Sequence, residues 1–333
     1  MNSCIFKEKT LIFIDKNEII QYKNESQQEI VSRKTRLCLG DYDINFENKF
    51  KLSLDNFSIK KKLGSGKFSD VYIAIEKQTG LWVALKQIKF STIKEYGLYQ
   101  DITNEIIMQT KLSHKNIIQL YGFFISNQSV YLIQELSCGK DLFTDMKAQH
   151  NKSYNESIVS LYIRQVADAL HYMHMSSIIH RDIKPENIMI CDGILKLCDF
   201  GYAAPFSKKI RRSTFCGTLD YVSPEMIENK DYNNSIDIWS LGILTYELIF
   251  GRAPFSGKGY EDTLQNVLKG QINFSGPISF ECGEFITRLL HQDPNQRLKL
   301  AQALKHPFLK NTKNDQISVD KSINVGDFEF LYQ

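Results

Sequence analysis

The chain has 333 residues, 43% of them hydrophobic and 24% charged, with a formal net charge of +3. That is enough apolar material for one large bilobal unit or two domains, and too little net charge to make nucleic acid or a membrane surface the main partner. The seven cysteines are scattered without CxxC spacing, which argues against a zinc site or a disulfide framework and fits a reduced intracellular compartment.

Residues 1–52 are polar and mixed in charge and read as a weakly ordered N-terminal extension. Ile12, Ile14, Ile19 and Ile20 are its candidates for one short strand pair. Leu11-Ile12-Phe13-Ile14, closed by Asp15, is far too short for a signal peptide or a membrane span, and Asn2 does not fit the N-myristoylation pattern.

From Phe57 the texture becomes strand-like. Leu63-Gly64-Ser65-Gly66-Lys67-Phe68-Ser69-Asp70-Val71 joins an alternating run to Tyr72-Ile73-Ala74-Ile75. Gly64 and Gly66 permit a tight turn whose backbone N–H groups can approach phosphate oxygens. Because the turn lies between two strands, it does not read as a Rossmann site, where the glycines open a helix. In the next strand, Val83-Ala84-Leu85-Lys86, Ala84 and Lys86 share a face. A helix follows over Ile102 to Leu112, then a buried strand, Val130 to Ile133. Gln134-Glu135-Leu136-Ser137-Cys138-Gly139 then loosens into a connection.

Residues 141–310 read as mostly helical. Ile163, Val166, Leu170 and Met173 recur at helical spacing, and Ile236 to Phe250 is apolar on nearly every face, as a centrally buried helix would be. Asp237 near its start is expected to cap it and to reach back to an upstream loop. Between these helices lies His180-Arg181-Asp182-Ile183-Lys184-Pro185-Glu186-Asn187, followed by Asp199-Phe200-Gly201. Ile188-Met189-Ile190 and Ile194-Leu195-Lys196-Leu197 read as two strands joined at the turn Asp192-Gly193. Such a hairpin projects Asp182, Asn187 and Asp199 toward one site. One carboxylate beside a hydroxyl can act as base, while an Asn and a second carboxylate supply the hard oxygen ligands that Mg²⁺ prefers. That equipment suits phosphoryl transfer.

The two motifs at this spacing resemble the catalytic loop and metal-binding motif of protein kinases. The resemblance implies an α+β, bilobal fold: a small antiparallel β-sheet N-lobe with one main helix, and a larger helical C-lobe. It places the kinase domain at 53–310, with the N-lobe at about 57–134, a hinge at 135–140 and the C-lobe at 141–310, followed by a tail at 311–333. It implies ATP and Mg²⁺ as cofactors. Asp182 is then the catalytic base and Lys184 offsets charge on the transferred group, a Ser/Thr-kinase feature. Asn187 and Asp199 hold the metal, and Lys86, paired with Glu105, binds the α- and β-phosphates. Leu63, Gly64, Ser65, Gly66, Val71, Ala84, Gln134, Glu135, Ser137 and Glu186 complete the nucleotide site, with Gln134 controlling access to its back. Thr218 is expected to brace Asp182, and Glu225 to pair with Arg297. Ser69 stands where the kinase glycine loop has its third glycine, and a polar Gln134 is unusual.

Arg211 to Tyr221 is similar to the activation segment of Aurora kinases, and Glu76-Lys77-Gln78, Ala84-Leu85-Lys86, Asn116 to Phe124 and the polar Gln109 resemble other stretches of that family. Tyr202 and Asn104 depart from that family, which carries Trp and Arg there. The resemblance implies an activating phosphosite at Thr214, with Ser213 beside it, and Arg181 and Arg212 as phosphate ligands. It also implies protein substrates with basic motifs, read by Asp141, Glu186 and Glu247, and an activating or scaffold protein on the small lobe. Neither direct nucleic-acid binding nor membrane association is expected. Mitotic work in nucleus and cytoplasm, at the spindle or centromere, follows by analogy. A calmodulin-dependent or polo-like kinase, and a catalytically weak nucleotide-binding scaffold, are the alternatives.

Overall fold

Alternating apolar residues along consecutive strands build an antiparallel sheet, and its register fixes which side chains meet. The computed structural model describes residues 5–7, 10–12, 52–137, 139–205 and 219–310. Chain contacts divide it into two units: Met1–His114 with Ile118–Leu136 and Phe200–Ala203, and Lys115–Ile117 with Ser137–Asp199 and Ala204–Gln333.

The first unit begins with a hairpin of β1 (Ile5–Lys7) and β2 (Thr10–Ile12), pairing Ile5 with Ile12. Of the isoleucines expected to form a strand pair, Ile12 does so; Ile14, Ile19 and Ile20 lie outside the described residues. The main sheet comprises β3 (Phe57–Ser65), β4 (Asp70–Glu76), β5 (Trp82–Lys89), β6 (Leu120–Ser126) and β7 (Ser129–Glu135), in the order β3-β4-β5-β7-β6. Helix α1 (Phe90–Tyr96) ends at Gly97, and α2 (Tyr99–Gln109) follows.

Strand periodicity sorts the sheet into two faces. Phe57, Val83, Leu85, Phe124, Tyr131 and Ile133 form one cluster, within which the rings of Phe57, Phe124 and Tyr131 stack in series at 5.3 and 4.9 Å. On the other face Ile88, Leu120, Val130 and Leu132 pack with Ile93 of α1 and Ile102 and Ile106 of α2. Helix α2 is therefore fastened to the face that carries Ala84 and Lys86.

In the second unit β8 (Lys140–Asp141), β10 (Ile188–Cys191) and β11 (Ile194–Leu197) form a sheet in the order β11-β10-β8, and β9 (Ile178–Ile179) pairs with β12 (Ala204–Pro205). The turn between β10 and β11 is Asp192-Gly193, both with positive φ, 49° and 76°. That is the mirror-image turn whose twist matches an antiparallel pair, as the Asp-Gly signal predicts.

The helices are α3 (Leu142–Ala148), α4 (Glu156–Met175), α5 (Pro224–Ile227), α6 (Ser235–Phe250), α7 (Tyr260–Lys269), α8 (Phe280–Leu289), α9 (Leu300–Ala303) and α10 (Pro307–Lys310). Ile163, Val166, Leu170 and Met173 of α4 are all buried, as their spacing requires. Helix α6 is buried around nearly its whole circumference. Its Gly242 permits close approach to α8: a Cβ there would stand 2.8 Å from the Leu290 side chain. One expectation is corrected. Asp237 does not cap α6; its carboxylate is taken up entirely by the loop and helix described below.

Candidate active site

In the first unit, β3 turns into β4 through Gly66 N–H donating to the Ser69 carbonyl at 2.7 Å. A Cβ at Gly64 would meet nothing within 4 Å, and one at Gly66 only Ser69, at 3.5 Å. The backbone is thus open where a side chain would stand, which fits a cradle for phosphate oxygens. Asp70 braces the neck of the loop against Lys62 at 2.7 Å. Lys62 and then the Ser65 hydroxyl hold the Asp70 carboxyl below its usual range. At the tip, Phe68 lies 5.0 Å from the ring of Tyr96 on α1, and Lys67 sits over Phe68 at 4.9 Å.

Val71 pairs with Lys86, and Ala84 with Gln134, across adjacent strands. Lys86 Nζ meets Glu105 Oε1 at 2.7 Å, with the two side chains 15% and 3% exposed. A carboxylate so buried requires a cationic partner, and Lys86 supplies it. Gln134 Nε2 donates to Gln109 Oε1 at 3.2 Å, and Gln109 Nε2 to the Ile118 carbonyl at 3.0 Å. Glu135 N–H donates to the Gln119 carbonyl at 2.9 Å, while Glu135 Oε2 accepts from Gln119 N–H at 3.2 Å. Leu63 is exposed, and Val71 is half-buried.

In the second unit, Asp182 is 6% exposed. Its Oδ2 accepts from Asn187 Nδ2 at 2.6 Å and meets Lys184 Nζ at 3.0 Å. The same Asn187 Nδ2 donates to the Asp182 carbonyl at 2.9 Å. Cys198 N–H donates to the Asn187 carbonyl at 2.9 Å, which ties the end of β11, and so Asp199, to the loop. The exposed Asp199 has φ of 58° and Arg181 φ of 70°. Burial lowers the pKa of His180, against the opposing pull of the Asp237, Asp182 and Asp199 carboxylates.

Asp237 holds this loop from beneath. Its carboxylate accepts from His180 N–H and Arg181 N–H, both at 2.9 Å, and from His174 Nε2 at 2.8 Å. Burial opposes its ionisation, yet these donors, His174 foremost, keep its pKa below the usual value. His174 had no signal in the sequence, where it reads as one more polar residue in the last turn of α4.

The expected acidic positions divide. Tyr221 Oη donates to Glu247 Oε2 at 2.6 Å. Burial raises the pKa of Glu247; Tyr221 opposes this, and the charges of Glu186 and Asp220 add to it. Glu186, Glu247 and Asp220 are therefore one acidic group, of which Asp220 was not anticipated. Asp141 is otherwise occupied. It caps α3, accepting from Thr144 N–H and Thr144 Oγ1, both at 2.7 Å. Glu225 pairs with Arg297 through two contacts of 2.7 Å, as expected. Asn104 accepts from Gln100 Nε2 at 2.9 Å. Arg212, Ser213, Thr214 and Thr218 lie outside the described residues.

Both amide hydrogens of Asn187 face Asp182, and among the described residues no hydrogen bond reaches its Oδ1. With the exposed Asp199 carboxylate, this makes a hard-oxygen donor set that fits Mg²⁺.

The protein kinase domain family matches residues 57–309. The chain is 42% identical over 264 residues to an Aurora kinase of Candida glabrata, covering 79% of this chain and 73% of that protein. It is 38% identical over 265 residues to Aurora kinase B of Mus musculus, covering 79% and 76%. Against an Aurora kinase of Saccharomyces cerevisiae the identity is 39% over 267 residues, covering 80% and 72%. Protein kinases use ATP and Mg²⁺ and act on proteins. With the lysine–glutamate pair and the Asp182–Asn187 loop both formed, and identity of this extent, the chain belongs to the protein kinases and, among them, to the Aurora serine/threonine kinases.

Proposed function

We propose that this kinase phosphorylates Ser and Thr in Arg-rich segments, with Asp182 as base. The observation that carries the reading is the division of labour within Asp182. Its Oδ2 is occupied by Asn187 and Lys184, which leaves Oδ1 to orient the substrate hydroxyl and accept its proton. Lys184, held beside that carboxylate, offsets charge on the transferred phosphoryl group. Asn187 Oδ1 and Asp199 would hold Mg²⁺, which neutralises phosphate charge. Lys86, set by Glu105, anchors the α- and β-phosphates, and the Gly64–Gly66 backbone cradles the others, with Leu63, Val71 and Ala84 against the base.

The acidic group of Glu186, Glu247 and Asp220 supports a preference for Arg, whose planar guanidinium pairs carboxylates bidentately. Thr214 is the activating phosphosite, with Ser213 next to it and Arg181 and Arg212 as phosphate partners, and Thr218 braces Asp182; these follow from the sequence resemblance. Mitotic work, placement at the spindle or centromere, and a partner on the small lobe rest on family membership alone.

The test is an Asp199→Ala protein assayed with radiolabelled ATP on an Arg-rich peptide and on one with acidic residues before the target. Wild type labels the basic peptide preferentially. The variant keeps its circular dichroism and melting temperature, and its kcat falls by about a hundredfold or more. Wild-type turnover by the variant ends the metal assignment, and preference for the acidic peptide ends the substrate assignment.

A further inference from the structure

A glutamine at position 134 is unexplained by the nucleotide site, and so is a glutamine at 109 on a buried helix face whose other polar residue, Glu105, is taken up by Lys86. The structure brings the two together. Gln134 Nε2 donates to Gln109 Oε1 at 3.2 Å, and Gln109 Nε2 donates to the Ile118 carbonyl at 3.0 Å. Gln109 is 0% exposed, so both ends of its amide are satisfied from within the protein. Each polar residue accounts for the other.

Position matters more than pairing. Gln109 lies one turn beyond Glu105 on α2, and Glu105 is the residue that meets Lys86 at 2.7 Å. Gln134, next to last in β7, stands opposite Ala84 of β5 on one side and Leu120 of β6 on the other. Ile102 and Ile106 of α2 pack against this face through apolar contacts. Apolar packing is non-directional and permits small slides and rotations of the helix. Hydrogen bonds weaken steeply with distance and angle, so a buried pair fixes the helix in register.

We propose that Gln134 is a positioning residue: through Gln109 it locks α2 to β7, and so holds Glu105 where it fixes Lys86. This rests on the reading of Lys86 as the nucleotide anchor.

Gln134→Met keeps length and volume but removes the donor, leaving Gln109 Oε1 buried without one. Three measurements are made on the full chain: kcat and KM, thermal stability, and hydrogen exchange of the α2 amides. In Gln134→Met, kcat falls about three- to tenfold, the KM for peptide stays unchanged, and exchange rises at Glu105 to Gln109. The double variant Gln134→Met/Gln109→Met leaves neither side-chain amide unmatched but lacks the bond as well, so its α2 exchange stays raised and its kcat stays reduced; recovery of both would overturn the proposal, because the unmatched amide and not the lost bond would then be the cause. The proposal is overturned if Gln134→Met lowers only the melting temperature, with kcat within about twofold of wild type. It is equally overturned if kcat falls while α2 exchange does not change, since Gln134 would then act on the nucleotide directly. A Lys86→Met variant separates the two levels: wild-type turnover there defeats the anchor reading, whatever Gln134→Met does to α2.

Discussion

Arg181 holds a left-handed backbone, φ 70°, immediately before the proposed base. Such a conformation costs a residue with a Cβ about 1–2 kcal/mol. It persists because Asp237 accepts the N–H groups of His180 and Arg181 and is itself held by a hydrogen bond from His174 Nε2. Asp237→Asn removes that charge and turns an N–H donor toward groups that are themselves donors, so it should destabilise the fold by about 3 kcal/mol at neutral pH. The folded pKa of Asp237 lies below the ordinary 3.8. Its contribution is therefore complete above the unfolded value and is lost as pH falls through the folded one. Urea titrations of both proteins should give a constant difference from pH 7 to pH 5 that shrinks only in stronger acid; a difference already gone at pH 5 contradicts the account. At this scale the sequence was uneven. Asp182, Asn187 and Asp199 were legible because they flank one hairpin, so local geometry determines where they point. His174 was not, because its partner Asp237 is 63 residues away. Asp141 looked like a substrate ligand because a carboxylate reads alike whether it meets Arg or its own helix N-terminus.

Among the elements, β4, β5, β7, the β10–β11 hairpin, α4 and α6 were legible in the pattern of apolar residues, and α2 and α6 fell within a few residues of their predicted spans, whereas β6, α1, α7 and α8 had no reading of their own. The glycine loop was legible in its turn and in its missing third glycine. What holds its tip was not, since Tyr96 meets Phe68 only after β5 and α1 have folded back. From Lys61 to Lys67 every side chain is exposed, and Phe68 is the first to be half-buried. An aromatic pair of this kind contributes about 0.5–1.5 kcal/mol. A loop already held in place loses less entropy when nucleotide binds. Tyr96→Ala should therefore raise the KM for ATP about two- to tenfold and leave the KM for peptide unchanged, while Tyr96→Phe, which retains the ring, behaves as wild type. An unchanged KM for ATP in Tyr96→Ala would show that the ring contact does not order the loop.

Across the whole molecule, each unit has a core of its own, built on different physics. The first is a sheet with separate clusters on its two faces. The second surrounds α6, a helix apolar on nearly every side, and among its buried side chains is an ion pair, Glu225 with Arg297, 4% and 0% exposed. Arg297 also donates to the Ser235 carbonyl at 3.0 Å and the His291 carbonyl at 2.9 Å, and lies 5.0 Å over the Trp239 ring. The pairing was foreseeable from the family resemblance, but the stacking on Trp239 was not, because no local pattern connects an arginine to an indole 58 positions earlier (297 − 239). Glu225→Gln preserves shape, removes the charge and turns one of the two accepting oxygens into an N–H donor, so Arg297 stays buried with only neutral groups, an amide oxygen, two carbonyls and a ring, around its charge. Breaking a buried pair in this way costs about 3–5 kcal/mol. Because Glu225, Ser235, Trp239 and Arg297 all belong to the second unit, the loss should be local in hydrogen exchange: amides of α6 and α8 lose protection, and those of β4, β5 and β7 keep theirs. Equal loss of protection in the sheet would mean that the sheet's stability depends on this ion pair rather than on the apolar clusters that flank it.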